Sequence, residues 1–391
     1  MDLREKLAYS LIQRPFYILP GSSENNAGSI SKISPTEYLA YRILTGQWPT
    51  SNPKVMFVGS GGSAKGYVVI GLLRRFHELG IKFDEYLVTS VLAFLTLYER
   101  TGDIYLTEKF ALDIPELLKE KSAPRVMKWF DKMTLGYFHD HITSFARLAH
   151  LMQSQKYKLP DGGYLKTNNG FVQTAALENR LKEHLGEVPI GETNMRITAT
   201  DFTNRRLVVL GKDYPEMPAY RAVLIAISLP KIFAFVMHNG NLLADSGGVL
   251  NFPLLNQLID KKTNQKTTLI GPDISTIVAV DLAYEANYEN GVPSGGIGGI
   301  VEADWIEAGI RNNLMVELLA ERNAKQEPRD LVKNGDRRHM RTMLITPETH
   351  DIPPGKIGIK IDQRHELIKQ GYELGDLAAK DFRRVKRLQF Y

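Results

Sequence analysis

The sequence predicts an α/β protein with a mostly parallel central sheet and a helical insertion, and three observations predict it. A short apolar run, Val55 to Val58, ends in a glycine-rich turn, Gly59-Ser-Gly-Gly-Ser-Ala-Lys-Gly66, that opens into a long apolar helix. A second strand and helix follow at once, and this strand–helix–strand–helix order is what a parallel sheet requires. Between residues 101 and 190 helical spacing dominates and strand signals are few, after which strand patterns resume.

Taken in order, residues 1–53 combine short helical patterns with a polar loop, Pro20 to Gly28, and are expected to form an N-terminal extension packed on the core. Tyr67 to Leu79 is apolar enough for a buried helix that Gly80 ends, Glu85 to Ser90 is the second strand, and Val91 to Arg100 the next helix. Within the insertion the helices are expected at Ile114 to Lys121, Ala123 to Met133, Ile142 to Met152 and Phe171 to Leu185. Strands return at Asn194 to Thr200 and Arg206 to Leu210, a helix at Tyr220 to Ser228, and a strand and turn at Asn241 to Val249. Thr276 to Asp281 is a further buried strand. Residues 284–299, rich in glycine, read as a surface loop or lid. Helix is expected from Ala303 to Ala324, a last strand at Gly358 to Ile361, and a closing helix from Arg364 towards Arg387.

Composition narrows the function. The chain has 391 residues, a net charge of +5 and no cysteine, so disulfide frameworks, cysteine-held zinc, iron–sulfur clusters and thiolate nucleophiles are excluded. A mixed-sign surface with 24% charged residues does not imply nucleic acid. Asp2, Arg4, Glu5 and Lys6 interrupt the first eleven residues and no run of 18 apolar residues occurs. Neither a secretory signal peptide nor a membrane span is therefore expected. The expected location is cytoplasmic or peripheral to a membrane. His139, His141 and His150 lack a spacing that puts metal ligands on one helical face, and Arg205-Arg206 and Arg337-Arg338 read as solvated surface.

The glycine turn puts several backbone N–H groups at the positive end of a helix, a place that holds a phosphate or a developing oxyanion. A Walker loop would need a hydroxyl after Lys65, where Gly66 stands. A dinucleotide turn fits the permissive pattern Gly59-x-Gly61-x-x-Ala64, with Asp84 at the distance of a ribose-binding acid, although Asp84 precedes the second strand instead of ending it. The turn could also serve only to reverse the chain. An oxyanion hole is the third use, and it draws support from Ser90, which stands at a strand-to-helix junction where a hydrolase holds its nucleophile and where a capping serine is also common.

The order of blocks resembles the patatin-like phospholipases and acylhydrolases. Gly61-Gly62-Ser63-Ala64-Lys65-Gly66 is similar to their Gly-Gly-Gly-x-Arg/Lys-Gly turn, Gly71-Leu-Leu73 follows at the expected spacing, and Arg196 to Thr203, Leu229 to Phe233, Asp245-Ser-Gly-Gly248 and Gly371-Tyr372 are similar to the family's later blocks. The resemblance implies a patatin-like three-layer α/β/α domain over 54–380, with 101–190 as its mainly helical insertion and 381–391 as a basic tail. It also implies a serine hydrolase of lipid acyl esters, of phospholipase A or lysophospholipase type. Ser90 would be the nucleophile and Asp245 its base, the N–H groups of Gly61, Gly62 and Ser63 the oxyanion hole, and Lys65, Gly66, Gly247 and Gly248 supporting residues. No metal or organic cofactor is implied, and the expected partner is a lipid or small acyl ester. His238, near the Asp245 loop, ranks below Asp245 as base because the family dispenses with histidine.

Two departures sit at the chemistry. Where the family has Gly-x-Ser-x-Gly, this chain has Val88-Thr-Ser90-Val-Leu92, and bulky neighbours threaten the tight turn that presents the serine. The alternative is therefore a catalytically impaired fold used for binding or assembly. Asp245 is also separated from the glycine pair by Ser246, and aligning on the glycines instead would put Ser246 at the acid position. Finally, Lys380 to Arg387 holds five basic residues against one acidic, with Phe382, Val385 and Leu388 at spacing three. This is a basic amphipathic helix suited to an anionic lipid surface or an acidic partner, or simply docked on the domain.

Overall fold

The computed structural model describes residues 16–19, 54–121, 154–158, 164–168, 174–230, 233–254, 257–259, 266–271, 274–282, 341–347, 349 and 359–387. The expected helices 123–133, 142–152 and 303–324, the loop 284–299, His139, His141, His150, Arg337, Arg338 and Leu388 lie outside these residues. The side chains of Phe382 and Val385 do too.

The main sheet among the described residues has nine strands. Six of them, β1 (Phe16–Leu19), β13 (Arg341–Ile345), β12 (Ile274–Val280), β2 (Lys54–Gly59), β3 (Glu85–Thr89) and β6 (Met195–Asp201), pair side by side in parallel. At β6 the direction reverses, and β7 (Arg206–Val209), β9 (Asn241–Asp245) and β8 (Val236–His238) continue antiparallel. β1 shows that part of the N-terminal stretch adds a strand to the sheet edge.

Alternation along the central strands buries both faces, as a parallel sheet demands. Phe57, Tyr86, Val88, Val278 and Val280 join one apolar cluster, while Met56, Val58, Leu87, Ile277 and Ala279 join another with Phe252 and Leu254. Helix α1 (Gly66–Glu78) crosses the first face and is covered in turn by α6 (Ile361–Arg387). The crossing is so close that a Cβ on Gly71 would fall on the Ile368 carbonyl, and one on Gly371 on the Val68 carbonyl. Arg75 then bonds Tyr372 at 3.1 Å and Asp376 at 2.8 Å.

Helix α2 (Leu95–Thr101) ends at Gly102 with φ 66°, and α3 (Ile104–Lys121) starts where Asp103 Oδ1 accepts the N–H groups of Tyr105 and Leu106. α3 thus begins ten residues earlier than its apolar spacing suggested. α4 (Ala175–Leu185) and α5 (Ala219–Ile227) form where expected.

Three expectations change. The mainly helical insertion also carries strands, since β4 (Ser154–Lys158) and β5 (Tyr164–Asn168) pair antiparallel, and the sequence between them, Pro160-Asp-Gly-Gly163, is a turn signal that the helical reading passed over. A second small hairpin, β10 (Gln257–Ile259) with β11 (Lys266–Thr268), was also unforeseen. The strand expected at Gly358 to Ile361 is replaced by a helix start, for Ile361 opens α6 and Arg364 Nε donates back to the Ile359 carbonyl at 2.9 Å. The alternation Ile357, Ile359, Ile361 imitates a strand, and the true one is β13 in the preceding basic stretch.

Candidate active site

The C-terminal ends of β2, β3 and β9 converge. At the end of β2, Ser60 is strapped to β12, its N–H donating to Val280 O at 3.0 Å and its Oγ accepting the Leu282 N–H at 2.7 Å. Gly61 lies where no side chain fits, because a Cβ there would stand 2.5 Å from Asn251 Oδ1 and 2.8 Å from Ser90 Cβ. A Cβ on Gly62 would meet Leu282 at 2.7 Å. Ser63–Lys65 form one 3₁₀ turn leading into α1, with Ser63 held at φ 49° where glycine would be unstrained.

Among the described residues the N–H groups of Gly62 and Ser63 have no acceptor, while Gly61 N–H donates to the Asn251 carbonyl at 3.1 Å. Of the three expected oxyanion donors, Gly61 is therefore spent on Asn251 in this geometry and two are free. Asn251 returns a second bond, Nδ2 to Gly61 O at 3.2 Å, and so holds the turn from both sides. It was not foreseen; a lone Asn six residues past an Asp carries no sequence signal. Lys65 and Gly66 begin the helix, Lys65 buried and Gly66 leaving 3.0 Å between a Cβ and Val91.

Ser90 is the first residue after β3 and has φ 58°, a left-handed conformation that costs a serine on the order of 1 kcal/mol or more. The bulky neighbours are accommodated. Val88 is fully buried in the sheet opposite Gly59, and the Leu92 side chain occupies the space a Cβ on Gly59 would need. Gly59 thus supplies the room that glycines around the serine would otherwise give.

Asp245 ends β9, opposite Ala199 of β6, and its backbone N–H donates to Ser228 O at 3.1 Å. Its carboxylate is buried and accepts two bonds, from Ser90 Oγ to Oδ2 at 2.5 Å and from Gly247 N–H to Oδ1 at 2.6 Å. Burial pushes the Asp245 carboxyl up to about 7, partly offset by these two donors. Ser246 faces away, its Oγ donating to Thr198 Oγ1 at 2.9 Å, and Thr198 contacts Thr89 Oγ1 at 2.6 Å. Thr89, Thr198 and Ser246 form a buried polar seam that ties the serine strand to the aspartate loop. Gly247 thus holds the carboxylate by its N–H, and Gly248 follows it in the same loop.

An apolar cleft of about 790 Å³, counting its open mouth, starts at Ser63, Gly66, Ser90 and Val91 and runs between α1, α3 and α4. Tyr67, Ile70, Phe94, Ala111, Ile114, Leu177 and Phe233 line it.

Other candidates separate from this site. His238 packs edge-on to Tyr214 at 5.8 Å, and burial and the nearby Arg221 hold its imidazole below the ordinary range. Asp84 accepts the Val55 N–H at 2.7 Å at the start of β2, the opposite end of the strand from the glycine turn, which removes it as a partner of a ligand there. Arg206 is not simply solvated, since it lies 3.6 Å from the buried Asp201. No cluster able to hold a metal occurs among the described residues, and none of their helices is long and apolar enough to cross a membrane.

The strand–turn–helix thus brings its glycines to face a serine at the end of the next strand. The family model described as patatin-like phospholipase matches residues 57–256, just over half of the chain, and the chain belongs to that family. At the family level this is a family of lipid acyl hydrolases. Comparison with curated proteins gives no match. Among solved structures it is similar to VipD from Legionella pneumophila, at 14% identity and a TM-score of 0.39, covering 84% of this chain and 67% of that one. It is similar also to the ExoU–SpcU complex of the Pseudomonas aeruginosa type III secretion system (14%, TM-score 0.36, 86% and 52%). Human GIVD cytosolic phospholipase A2 in complex with methyl γ-linolenyl fluorophosphonate is a third (11%, TM-score 0.36, 86% and 59%). The chain spans between half and two thirds of the last two.

Proposed function

We propose that this chain is a serine acyl hydrolase that cleaves lipid acyl esters through Ser90 and Asp245. The single observation that carries the reading is the 2.5 Å bond from Ser90 Oγ to the Asp245 carboxylate, at the length of a charge-assisted hydrogen bond, on a serine held in a strained left-handed turn. An acid ionising near 7 is matched to taking and returning a proton at neutral pH.

In this mechanism Ser90 Oγ attacks the ester carbonyl carbon while its proton passes to Asp245 Oδ2. The carbonyl oxygen becomes an oxyanion and is held by the Gly62 and Ser63 N–H groups, each such donor contributing about 3–4 kcal/mol. Collapse expels the alcohol, which takes the proton from Asp245. Water, deprotonated by Asp245, then attacks the acyl-serine; the second tetrahedral intermediate releases the fatty acid and Ser90 recovers its proton. The apolar cleft takes the acyl chain of a phospholipid or lysophospholipid, and a small acyl ester is the minimal substrate. Contact of the basic Lys380 to Arg387 segment with an anionic lipid surface would bring the substrate near.

A second reading, a catalytically impaired fold that binds without turnover, is favoured by the use of the Gly61 N–H on Asn251. One experiment separates them. Purified protein should hydrolyse short-chain nitrophenyl esters and phospholipid vesicles, and Ser90→Ala and Asp245→Asn should each remove at least 1,000-fold, on the order of losses seen for such groups. Absence of turnover in the native chain, or turnover indifferent to Ser90→Ala, would overturn the proposal.

A further inference from the structure

Helix α3 carries Pro115 in its interior. Proline has no N–H, so the Ala111 carbonyl, one turn back, loses its helical donor. Two side chains from outside the helix meet this break. Tyr67 Oη donates to Ala111 O at 3.0 Å, and Arg364 Nη1, on α6, donates to the neighbouring Leu112 O at 2.8 Å. Burial pushes the Tyr67 phenol up to about 12, so it remains a donor at any working pH.

The position of this bond matters because both of its ends lie in the cleft. Tyr67 follows Gly66, the residue that joins the glycine turn to α1, and is buried. Ala111, Ile114 and Pro115 line the facing wall on α3. The ring therefore spans from α1 to α3 and forms part of the wall of the cleft that opens on Ser90. Swinging it aside would leave a buried carbonyl unpaired, which holds the ring in place.

The geometry points to Tyr67 as the residue that sets how long an acyl chain the cleft accepts, its ring fixed by the carbonyl that Pro115 leaves open. This rests on the reading of the cleft as the acyl site. Binding then strengthens about fourfold per added methylene while the chain lies on apolar surface, and stops strengthening where it meets the ring.

The test uses full-length Ser90→Ala protein, so that binding is read without chemistry. Saturated fatty acids from hexanoate to palmitate are titrated by calorimetry, with and without Tyr67→Leu, and folding is checked by circular dichroism. Affinity should climb and level off in the parent, and in Tyr67→Leu the plateau should move to chains longer by two or more carbons. Tyr67→Met, flexible and close to leucine in bulk, should also move the limit upward, and serves if the Leu variant does not fold. The same plateau in a folded Tyr67 variant would overturn the inference while leaving the acyl site standing. No binding of any fatty acid would remove the acyl site and the inference with it.

Discussion

Asp245→Asn is expected to make the protein more stable while abolishing its activity, and the size of the effect follows from the site. The Asp245 carboxyl is wholly buried and ionises near 7, against 3.8 for an ordinary aspartate. Because the fold raises this value, the unfolded chain loses its proton first, and stability falls as pH rises from about 4 to about 7, then stays level. The difference amounts to about 4 kcal/mol held against the folded state at pH 8 and nearly nothing at pH 4. Asparagine keeps the shape and can still accept the Gly247 N–H, but carries no charge. Urea unfolding of the native chain and of Asp245→Asn at pH 4, 6 and 8 should therefore show a gap in favour of the variant that widens with pH towards a few kcal/mol. A gap that is the same at pH 4 and pH 8, or a variant less stable than the parent at pH 8, would refute the assignment of a strained, ionised base.

In the proposed mechanism the same group controls the rate. kcat/KM for a neutral ester should fall about tenfold per pH unit below roughly 7 and be level above it, because the proton-accepting form is the carboxylate; a profile flat down to pH 5 would contradict this. Gly61→Ala places a Cβ 2.5 Å from Asn251 Oδ1 and 2.8 Å from Ser90 Cβ, so kcat should drop on the order of 100-fold through displacement of the serine. A variant with native circular dichroism and native kcat would argue against that fit. Leu92→Gly, which restores the residue usual in the family, should not create or raise activity here, and should cost roughly 3–5 kcal/mol in urea unfolding because it empties the space over Gly59. A gain in turnover would favour the impaired-fold reading.

The parts of this molecule that were legible in the sequence are those where backbone geometry dictates residue type. Gly61 and Gly62 are fixed by close approach, the β2–turn–α1 unit follows from its apolar run and glycines, and Ser90 stands where a strand meets a helix. Less visible were effects that need a partner far along the chain. The threat posed by Val88 and Leu92 looked local, but the remedy is Gly59, thirty-three residues before Leu92 and next to it only because β2 and β3 pair. Asn251 is bound to Gly61 across 190 positions, and the Thr89–Thr198–Ser246 seam joins the end of β3, the middle of β6 and the loop after β9. Strand β13 was hidden by basic flanks, and the isoleucine alternation before α6 mimicked it.

The central claim, that Ser90 is a nucleophile activated by Asp245, is tested most directly by reaction with a fluorophosphonate probe followed by intact mass and peptide mapping. One adduct per chain on the peptide carrying Ser90, lost in Ser90→Ala and slowed at least 100-fold in Asp245→Asn, is the predicted result. No adduct, an adduct on another serine, or labelling of Ser90 at the same rate without the Asp245 carboxylate would contradict it.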